Sequence, residues 1–192
     1  RRRLRRDHAP DPLGGKVKTT IVSIDPGTEE TGIALYRAGA LVDVDVLRVK
    51  RSVGNREQRA SDMGRLAVDK VSTWRGAAEP LRVVLEYPQV YKHGPGSEVD
   101  PDDVLCLVLV LGHVWGTFHG LKGNTLELVR PATWKGQVPK RIMNNRIVST
   151  LTQTEQELVH DKVRSNHNAL DAVGIGLWAL KRPWGQPNTK EG

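Results

Sequence analysis

An apolar run that ends in a carboxylate and a tight turn constrains this chain more than any other feature. Residues 19–36 read TTIVSIDPGTEETGIALY, so a predicted strand ends at Asp25, a Pro-Gly-Thr turn follows, and a second strand begins near Gly32. Glycine at positions 27 and 32 lets the backbone pass close to whatever the carboxylate binds. Asp-Pro-Gly is also common in ordinary turns. The segment therefore predicts either a plain hairpin turn or a carboxylate presented at the edge of a sheet.

Hydrophobic periodicity predicts nine elements in the order β-β-β-α-β-α-β-α-α. Three meandering strands come first and helices then alternate with strands, which predicts an α/β fold with helices on both faces of a mixed five-stranded sheet. Three strands of this sheet form an antiparallel meander and two are parallel. The predicted strands cover residues 16–24, 32–37, 41–50, 81–85 and 126–129, and the predicted helices cover residues 56–74, 102–119, 139–151 and 166–181.

Length and composition predict one soluble domain. At 192 residues the chain suits a single well-buried core. Residues 1–15 hold five arginines among Pro and Gly, which predicts a flexible basic arm, followed by a domain over 16–182 and a tail over 183–192. We expect no membrane partner, because no apolar run reaches the length needed to span a bilayer. Cys106 is the only cysteine, which excludes an intrachain disulfide and favours a reducing compartment.

Positive charge is concentrated in two places, and the formal net charge is +7. One is the basic arm, and the other is a stretch without acidic residues in the last third of the chain. A polyanion, most simply nucleic acid, is the natural partner of such clusters, although a solvated charged surface has the same composition. The second group, named here the basic cluster, consists of Arg130, Lys135, Lys140, Arg141 and Arg146.

Three acidic residues lie where they can converge. Asp25 and Glu86 each follow a predicted strand, and parallel neighbours would place both at one sheet edge, where α/β folds carry their sites. Asp171 lies in the opening turns of the last predicted helix. His167 and Asn168 precede it by four and three residues, so either can share its helix face. Each residue alone also has a structural explanation, since acids and polar groups are common at helix N-termini.

Converging carboxylates repel one another unless a cation neutralises them. Hard oxygen ligands select magnesium or manganese. Two such ions about 4 Å apart can activate water and stabilise the leaving oxygen in phosphodiester hydrolysis. Asp25, Glu86 and Asp171 together therefore predict a site for Mg²⁺ or Mn²⁺, with two ions.

Three motifs resemble the RuvC-type Holliday junction resolvases of the ribonuclease H-like superfamily. IDPGTEETG, from Ile24, resembles their first motif, and VVLE, ending at Glu86, resembles their second acidic strand. HNALDA, from His167, resembles their final helix motif, with Asp171 matching the last catalytic Asp. The likeness spans about residues 18–181, and segments 87–91 and 130–140 are most similar to bacteriophage branches. One departure is Asn168, where the family usually has Asp or His.

The resemblance implies a ribonuclease H-like fold and a metal-dependent endonuclease that resolves four-way DNA junctions by paired symmetric nicks. It implies catalytic roles for Asp25, Glu86 and Asp171, which hold magnesium or manganese without a small-molecule cofactor. Because of the departure at Asn168, two residues are candidates for the fourth position of the site. Asn168 can ligate through its carbonyl oxygen, or His167 can take a catalytic role as ligand or proton shuttle. The resemblance further implies a homodimer acting on branched DNA at the nucleoid, in the cytoplasm of a bacterial or phage-infected cell.

Tyr91 is a candidate for contact with DNA bases. It lies shortly after Glu86, at the start of a Gly-rich loop. An aromatic ring at that position either stacks on an unpaired base at the junction centre or packs on the sheet edge.

The predicted helix over 102–119 is a candidate for assembly. It is apolar around most of its circumference, whereas a surface helix needs only one apolar stripe. Its second apolar face lies either in the core or against a second copy of the chain. The two-fold symmetry of a four-way junction favours the second copy, because two matched cuts need two active sites.

Three other functions are compatible with the sequence. A RuvC-like nuclease acting on other structured DNA or on RNA would carry the same acids. An actin-like or sugar-kinase-type phosphotransferase also has an Asp-x-Gly-Thr loop after a strand, but its architecture needs two such domains. A non-catalytic nucleic-acid-binding protein would use the basic residues and leave the acids unexplained. ATP binding and magnesium-dependent cleavage distinguish these classes.

Overall fold

The computed structural model describes residues 20–52, 54–75, 80–88, 100–164 and 166–184. Within them the elements follow the order β-β-β-α-β-α-β-α-α-α-α. The strands are β1 (Thr20–Asp25), β2 (Glu30–Arg37), β3 (Ala40–Arg48), β4 (Leu81–Glu86) and β5 (Thr125–Val129). The helices are α1 (Arg56–Arg75), α2 (Pro101–Phe118), α3 (Pro131–Trp134), α4 (Lys140–Thr150), α5 (Gln153–Val163) and α6 (His167–Ala179).

The strands form one mixed sheet in the order β3-β2-β1-β4-β5. β1 pairs antiparallel with β2, and β2 pairs antiparallel with β3. β1 pairs parallel with β4, and β4 pairs parallel with β5. Parallel neighbours need a long crossover, and α1 and α2 supply it here. The predicted sheet, with an antiparallel meander and two further parallel strands, is confirmed.

The sheet carries helices on both faces because alternate side chains of a strand point to opposite sides. Val22 and Ile24 of β1 join the apolar cluster of α1 and α2. Ile21 joins the other cluster, which contains the buried residues of α3 to α6. The core therefore lies in two layers, and the carboxyl ends of β1, β4 and β5 share one edge.

α6 packs closely on β1 and β2 through polar contacts that fix its position. The Ser23 hydroxyl donates to the Ala172 carbonyl oxygen at 2.7 Å, and the Tyr36 hydroxyl donates to the Val173 carbonyl oxygen at 2.7 Å. A Cβ added at Gly176 would lie 2.0 Å from the Tyr36 ring. These contacts hold the middle of α6 against β1 and β2, which sets where its first turns lie relative to the end of β1.

α2 is more apolar than its position requires. It is 18 residues long with mean hydropathy 1.3, which is long and apolar enough for a membrane span by length and composition alone. By that criterion, the expectation that the chain has no apolar run of membrane-spanning length is wrong. Buried core helices pass the same test. Here Cys106, Val110 and Val114 pack against α1 or the sheet, while Leu105 and Val108 are 61% and 50% exposed.

Two helices were not predicted. α3 has only four residues, too few to show a helical period, and begins with proline at its first turn. α5 is largely polar, so it has no clear apolar period, and a capping box at its first turn marks where it begins. The Thr152 side chain accepts from the Glu155 amide while the Glu155 side chain accepts from the Thr152 amide. α6 also ends before residue 181, because Lys181 adopts a positive φ of 56°.

A buried ion pair joins α5 to the segment after α6. Arg182 lies 2.8 Å from Glu155, and their side chains are only 8% and 5% exposed. Glu155 also accepts from the Leu41 amide at 2.7 Å, and Arg182 donates to the Thr150 carbonyl oxygen at 2.8 Å. Burial raises the pKa of Glu155, but Arg182 and the backbone donors outweigh it and lower that pKa overall.

Candidate metal and nucleic-acid site

Three carboxylates meet at the carboxyl edge of the parallel strands. Asp25 ends β1 and Glu86 ends β4, and these strands are parallel neighbours in which Ile24 pairs with Leu85. Asp171 lies in the second turn of α6 and is 8% exposed. The structure therefore brings together the three acids singled out in the sequence, and their catalytic role stays a prediction.

Two glycines allow the backbone to approach closely at this edge. A Cβ at Gly32 would lie 1.9 Å from the carbonyl oxygen of Asn168, so any side chain there would push the beginning of α6 away from β2. A Cβ at Gly27 would lie 2.0 Å from the carbonyl oxygen of Glu30. The turn is closed by Thr31, whose hydroxyl donates to the Gly27 carbonyl oxygen at 2.9 Å and accepts from the Gly27 amide at 3.0 Å.

Among the described residues, Lys135 supplies the cation nearest to the acids. Its Nζ lies 3.3 Å from Asp171 Oδ2 and 3.5 Å from Glu86 Oε2, and 4.7 Å from the centre of the Trp134 ring. The Trp134 indole donates to the same Glu86 oxygen at 2.7 Å. The sequence indicated Lys135 only as a phosphate contact, because no spacing shows that α3 turns it back onto the carboxylates.

The electrostatics show an excess of negative charge. Burial, then Glu86 and Asp171, raise the pKa of Asp25 well above its usual value. Burial also raises the pKa of Glu86, although Lys135 and the Trp134 indole offset part of this effect. Burial lowers the pKa of Lys135, but the three carboxylates outweigh it and raise that pKa. One ammonium group therefore leaves the acids incompletely neutralised.

The donor set fits a hard divalent cation. Asp25, Glu86 and Asp171 offer carboxylate oxygens, the ligands that Mg²⁺ and Mn²⁺ prefer. Burial, together with repulsion from neighbouring acids, raises the pKa of Asp25 and of Glu86, and a bound cation would offset that repulsion. In the described part of the chain, no three acidic, His or Cys side chains are arranged around a common point that could hold an ion. The ammonium of Lys135 lies between two of the three ligands, so an ion requires that lysine to move.

The two residues predicted to complete the site have different surroundings. Asn168 lies beside the acids, because its backbone contacts Gly32 and Gly32 pairs with Asp25. Its side-chain N–H donates to the Glu30 carbonyl oxygen at 3.1 Å. His167 is exposed and lines a cleft beside β3 with Arg48 and Arg164. Among the described residues, no hydrogen bond or ion pair joins His167 to Asp171, and the roles of both residues as ligand or proton shuttle stay predictions.

Four members of the basic cluster besides Lys135 are exposed near the end of β5 or along α4. Arg130 immediately precedes α3, and Lys140 and Arg141 begin α4. Lys140 is close enough to Asp25 to lower the pKa of that carboxyl group, against the larger effects that raise it. Arg146 lies further along α4. Tyr91 and the arginines of the arm lie outside the described residues.

Two solved structures of RuvC from Thermus thermophilus share this architecture. RuvC in complex with a Holliday junction substrate is 13% identical, with a TM-score of 0.51, covering 84% of this chain and 93% of RuvC. This chain has the RuvC fold. A second structure of the same RuvC is 15% identical, with a TM-score of 0.54, covering 85% and 97%. No family model and no curated protein matches the sequence.

At these identities the likeness establishes the ribonuclease H-like fold and leaves activity to be argued from the site. The resemblance inferred from the three motifs is confirmed at that level. The bacteriophage branch stays a prediction.

Proposed function

We propose that this protein is a metal-dependent endonuclease that cleaves branched DNA, most simply a four-way junction. The observation that carries the proposal is the convergence of Asp25, Glu86 and Asp171 at one sheet edge, with Lys135 as their nearest cation. A structural cluster would gain nothing from three buried acids sharing one ammonium group, because partly neutralised buried carboxylates cost stability. A site that recruits a divalent cation explains that arrangement.

In this proposal Asp25, Glu86 and Asp171 would hold magnesium or manganese. A bound ion would activate water and stabilise developing negative charge on phosphate oxygens. Trp134 fixes one Glu86 oxygen through its indole N–H, which keeps that carboxylate directed towards the acids. Lys135, once released from Glu86 and Asp171, is within reach of a phosphate bound at the same place and balances its charge.

Support for a nucleic-acid substrate comes from the charge beside the acids. Three exposed cations flank the acids in the chain or in space. Arg130 directly follows β5, whose last residue pairs with Glu86, and Lys140 is close enough to Asp25 to lower its pKa. Arg141 follows Lys140 at the beginning of α4. These cations can neutralise backbone phosphates on either side of the cleaved bond. The preference for four-way junctions rests on the fold, since RuvC of this fold was solved with such a junction.

The proposal includes a homodimer paired through α2. The outer face of this helix carries Leu105, Val108 and Leu109, which are 61%, 50% and 45% exposed. A Cβ at Gly112 or Gly116 would meet nothing within 4 Å, so this face is open along three turns. A second copy would bury this stripe and supply the second active site that paired nicks need.

Cleavage of synthetic substrates tests the proposal. Wild-type protein and Asp25→Asn protein are incubated with a four-way DNA junction, linear duplex DNA and a structured RNA, each with magnesium or with EDTA. We expect wild-type protein to cut the junction with magnesium alone, and Asp25→Asn protein to bind it without cutting. Cleavage of every substrate by Asp25→Asn protein contradicts the site, and preferential cleavage of RNA redirects the substrate assignment.

A further inference from the structure

A polar cleft opens at the same sheet edge as the acids. It has a volume of about 390 Å³ and lies between the end of β3, the end of α5 and the beginning of α6. We call it the β3 cleft, and its polar lining residues are Asp45, Arg48, Lys162, Arg164, Asn166 and His167. The proposed cleavage does not use any of its cations.

The register of the sheet gives the distance from the cleft to the acids. Asp25 pairs with Gly32, and Gly32 pairs with Val46, which lines the cleft. Adjacent strands are about 4.8 Å apart, so Val46 lies roughly 10 Å across the sheet from Asp25. Charges on one strand of duplex DNA repeat about every 3.4 Å along the axis. Because the strand also winds around that axis, successive phosphates are farther apart than this rise. A strand that crosses both sites would therefore have a phosphate at the cleft within about three nucleotides of the cleaved bond.

The charge of the lining favours an anion. Three permanent cations face one carboxylate, Asp45, which is engaged by Lys70 at 2.6 Å. In the described part of the chain the Arg164 guanidinium has no ion-pair partner. Arg164 also holds a left-handed backbone conformation with φ of 46°, uncommon for a residue with a side chain, and this turn carries the chain from α5 into the cleft wall.

The other two cations are exposed and are engaged by partly buried carboxylates. Lys162 lies 2.6 Å from Asp43, and Arg48 lies 3.0 Å from Glu30. The cation side chains are 47% and 59% exposed, and pairs with an exposed partner contribute about 0–1 kcal/mol. Asp43 also accepts from the Trp74 indole and Glu30 from the Asn166 side chain, so both carboxylates keep a donor when a phosphate competes for the cations.

We propose that the β3 cleft binds a backbone phosphate of the DNA strand that is cut, within about three nucleotides of the cleaved bond. Arg164 makes the principal contact, and Lys162 and Arg48 join it by leaving their surface partners. The basic cluster then holds the strand on the β5 side of the acids and the cleft holds it on the β3 side. This inference rests on the proposed function, and it adds a second anchor that fixes the strand's register.

Salt-dependent binding tests the cleft. Junction affinity is measured by fluorescence anisotropy between 50 and 300 mM salt, with every variant made in the non-cleaving Asp25→Asn background. Arg164→Asn removes the charge and keeps a residue that tolerates the left-handed conformation, and Lys162→Gln removes the second charge. Each lost contact should flatten the slope of log affinity against log salt by about 0.9. The control is Arg65→Gln, an exposed arginine of α1 that lies on the other face of the sheet.

A second measurement locates the phosphate. Junctions carry one neutral methylphosphonate at successive positions on either side of the cleavage site. We expect the Asp25→Asn protein to lose affinity when one phosphate within about three nucleotides of the cleavage site, on one side only, is neutral. The protein that also carries Arg164→Asn should be insensitive to that change. Unchanged salt slopes in both cleft variants, or equal sensitivity of the two proteins at every position, overturn the cleft as a phosphate site.

The two proposals fail in distinguishable ways. If wild-type protein cuts junctions and the cleft variants keep the parental slope, the cleft proposal is wrong and the nuclease stands. If no DNA is cut with magnesium but Arg164→Asn still flattens the slope, the cleft binds phosphate and the nuclease proposal is wrong. Circular dichroism at 222 nm checks that each variant is folded before its binding is compared.

Discussion

Replacing Lys135 with methionine should lower the free energy of unfolding of the metal-free protein and increase its affinity for divalent ions. The lysine lies 3.3 Å and 3.5 Å from two carboxylates and its side chain is 26% exposed. At an effective dielectric constant near 20, each pair is worth roughly 4–5 kcal/mol before desolvation. Removing one partner of a buried pair costs about 3–5 kcal/mol. Partial exposure, and protonation of a neighbouring acid, reduce the expected loss to about 2–3 kcal/mol.

Thermal unfolding in EDTA and in manganese measures this change. For a chain of this size, 1 kcal/mol shifts Tm by about 2–4 °C, so Lys135→Met should lower Tm by roughly 4–12 °C in EDTA. Manganese should remove most of the difference, because the ion replaces the missing charge. Isothermal titration should show Mn²⁺ binding at least tenfold tighter, since no ammonium has to be displaced.

Lys122→Met is the matched control. Lys122 is exposed in the loop after α2, and none of the described carboxylates pairs with it. It should leave both Tm values and the Mn²⁺ affinity unchanged. Equal Tm for Lys135→Met and wild-type protein in EDTA, together with equal Mn²⁺ affinity, would refute the assignment of Lys135 as the cation that a metal displaces.

Three further predictions follow from particular contacts. Because the pKa of Asp25 is raised in the folded protein, the stability that this carboxyl group contributes is lost as pH rises from its unfolded pKa near 4 through its folded pKa. Asp25→Asn should therefore raise Tm in EDTA at pH 7 and have little effect at pH 4. An unchanged Tm at pH 7 counts against this reasoning. Arg182→Met leaves the buried Glu155 carboxylate without its cation and should lower the free energy of unfolding, measured in urea, by about 3–5 kcal/mol. A loss below about 1 kcal/mol would show that the ion pair is dispensable. Leu109→Glu places a charge on the outer face of α2, so sedimentation equilibrium should show wild-type dimers and mutant monomers near 21.3 kDa; a wild-type monomer at all concentrations rules out this interface.

The sequence predicts the sheet and the acids well because their signals are local. β1 and β4 are short apolar runs that end in a carboxylate, and the order of strands and helices limits the possible pairing. The position of Asp171 follows from its place early in an apolar helix. Each of these inferences needs only neighbouring residues and a known period.

Contacts between distant segments could not be predicted in the same way. Lys135 reaches Glu86 and Asp171 because α3 turns the chain after β5, and a four-residue helix leaves no periodic signal. His167 shares a helical spacing with Asp171 but lines the β3 cleft, because the closure of α5 onto β3 creates a space that spacing does not show. The apolar surplus of α2 was visible in the sequence, but its exposure required the packed structure.

Crystals grown without metal and then soaked in manganese give the most direct test of the carboxylate site. Diffraction data collected near the manganese absorption edge locate the ion from its anomalous signal. We predict an anomalous peak among the carboxylates of Asp25, Glu86 and Asp171, with the Lys135 ammonium moved away from Glu86 and Asp171. Lys135 still in contact with both acids, with no anomalous peak beside them at saturating manganese, would contradict the account.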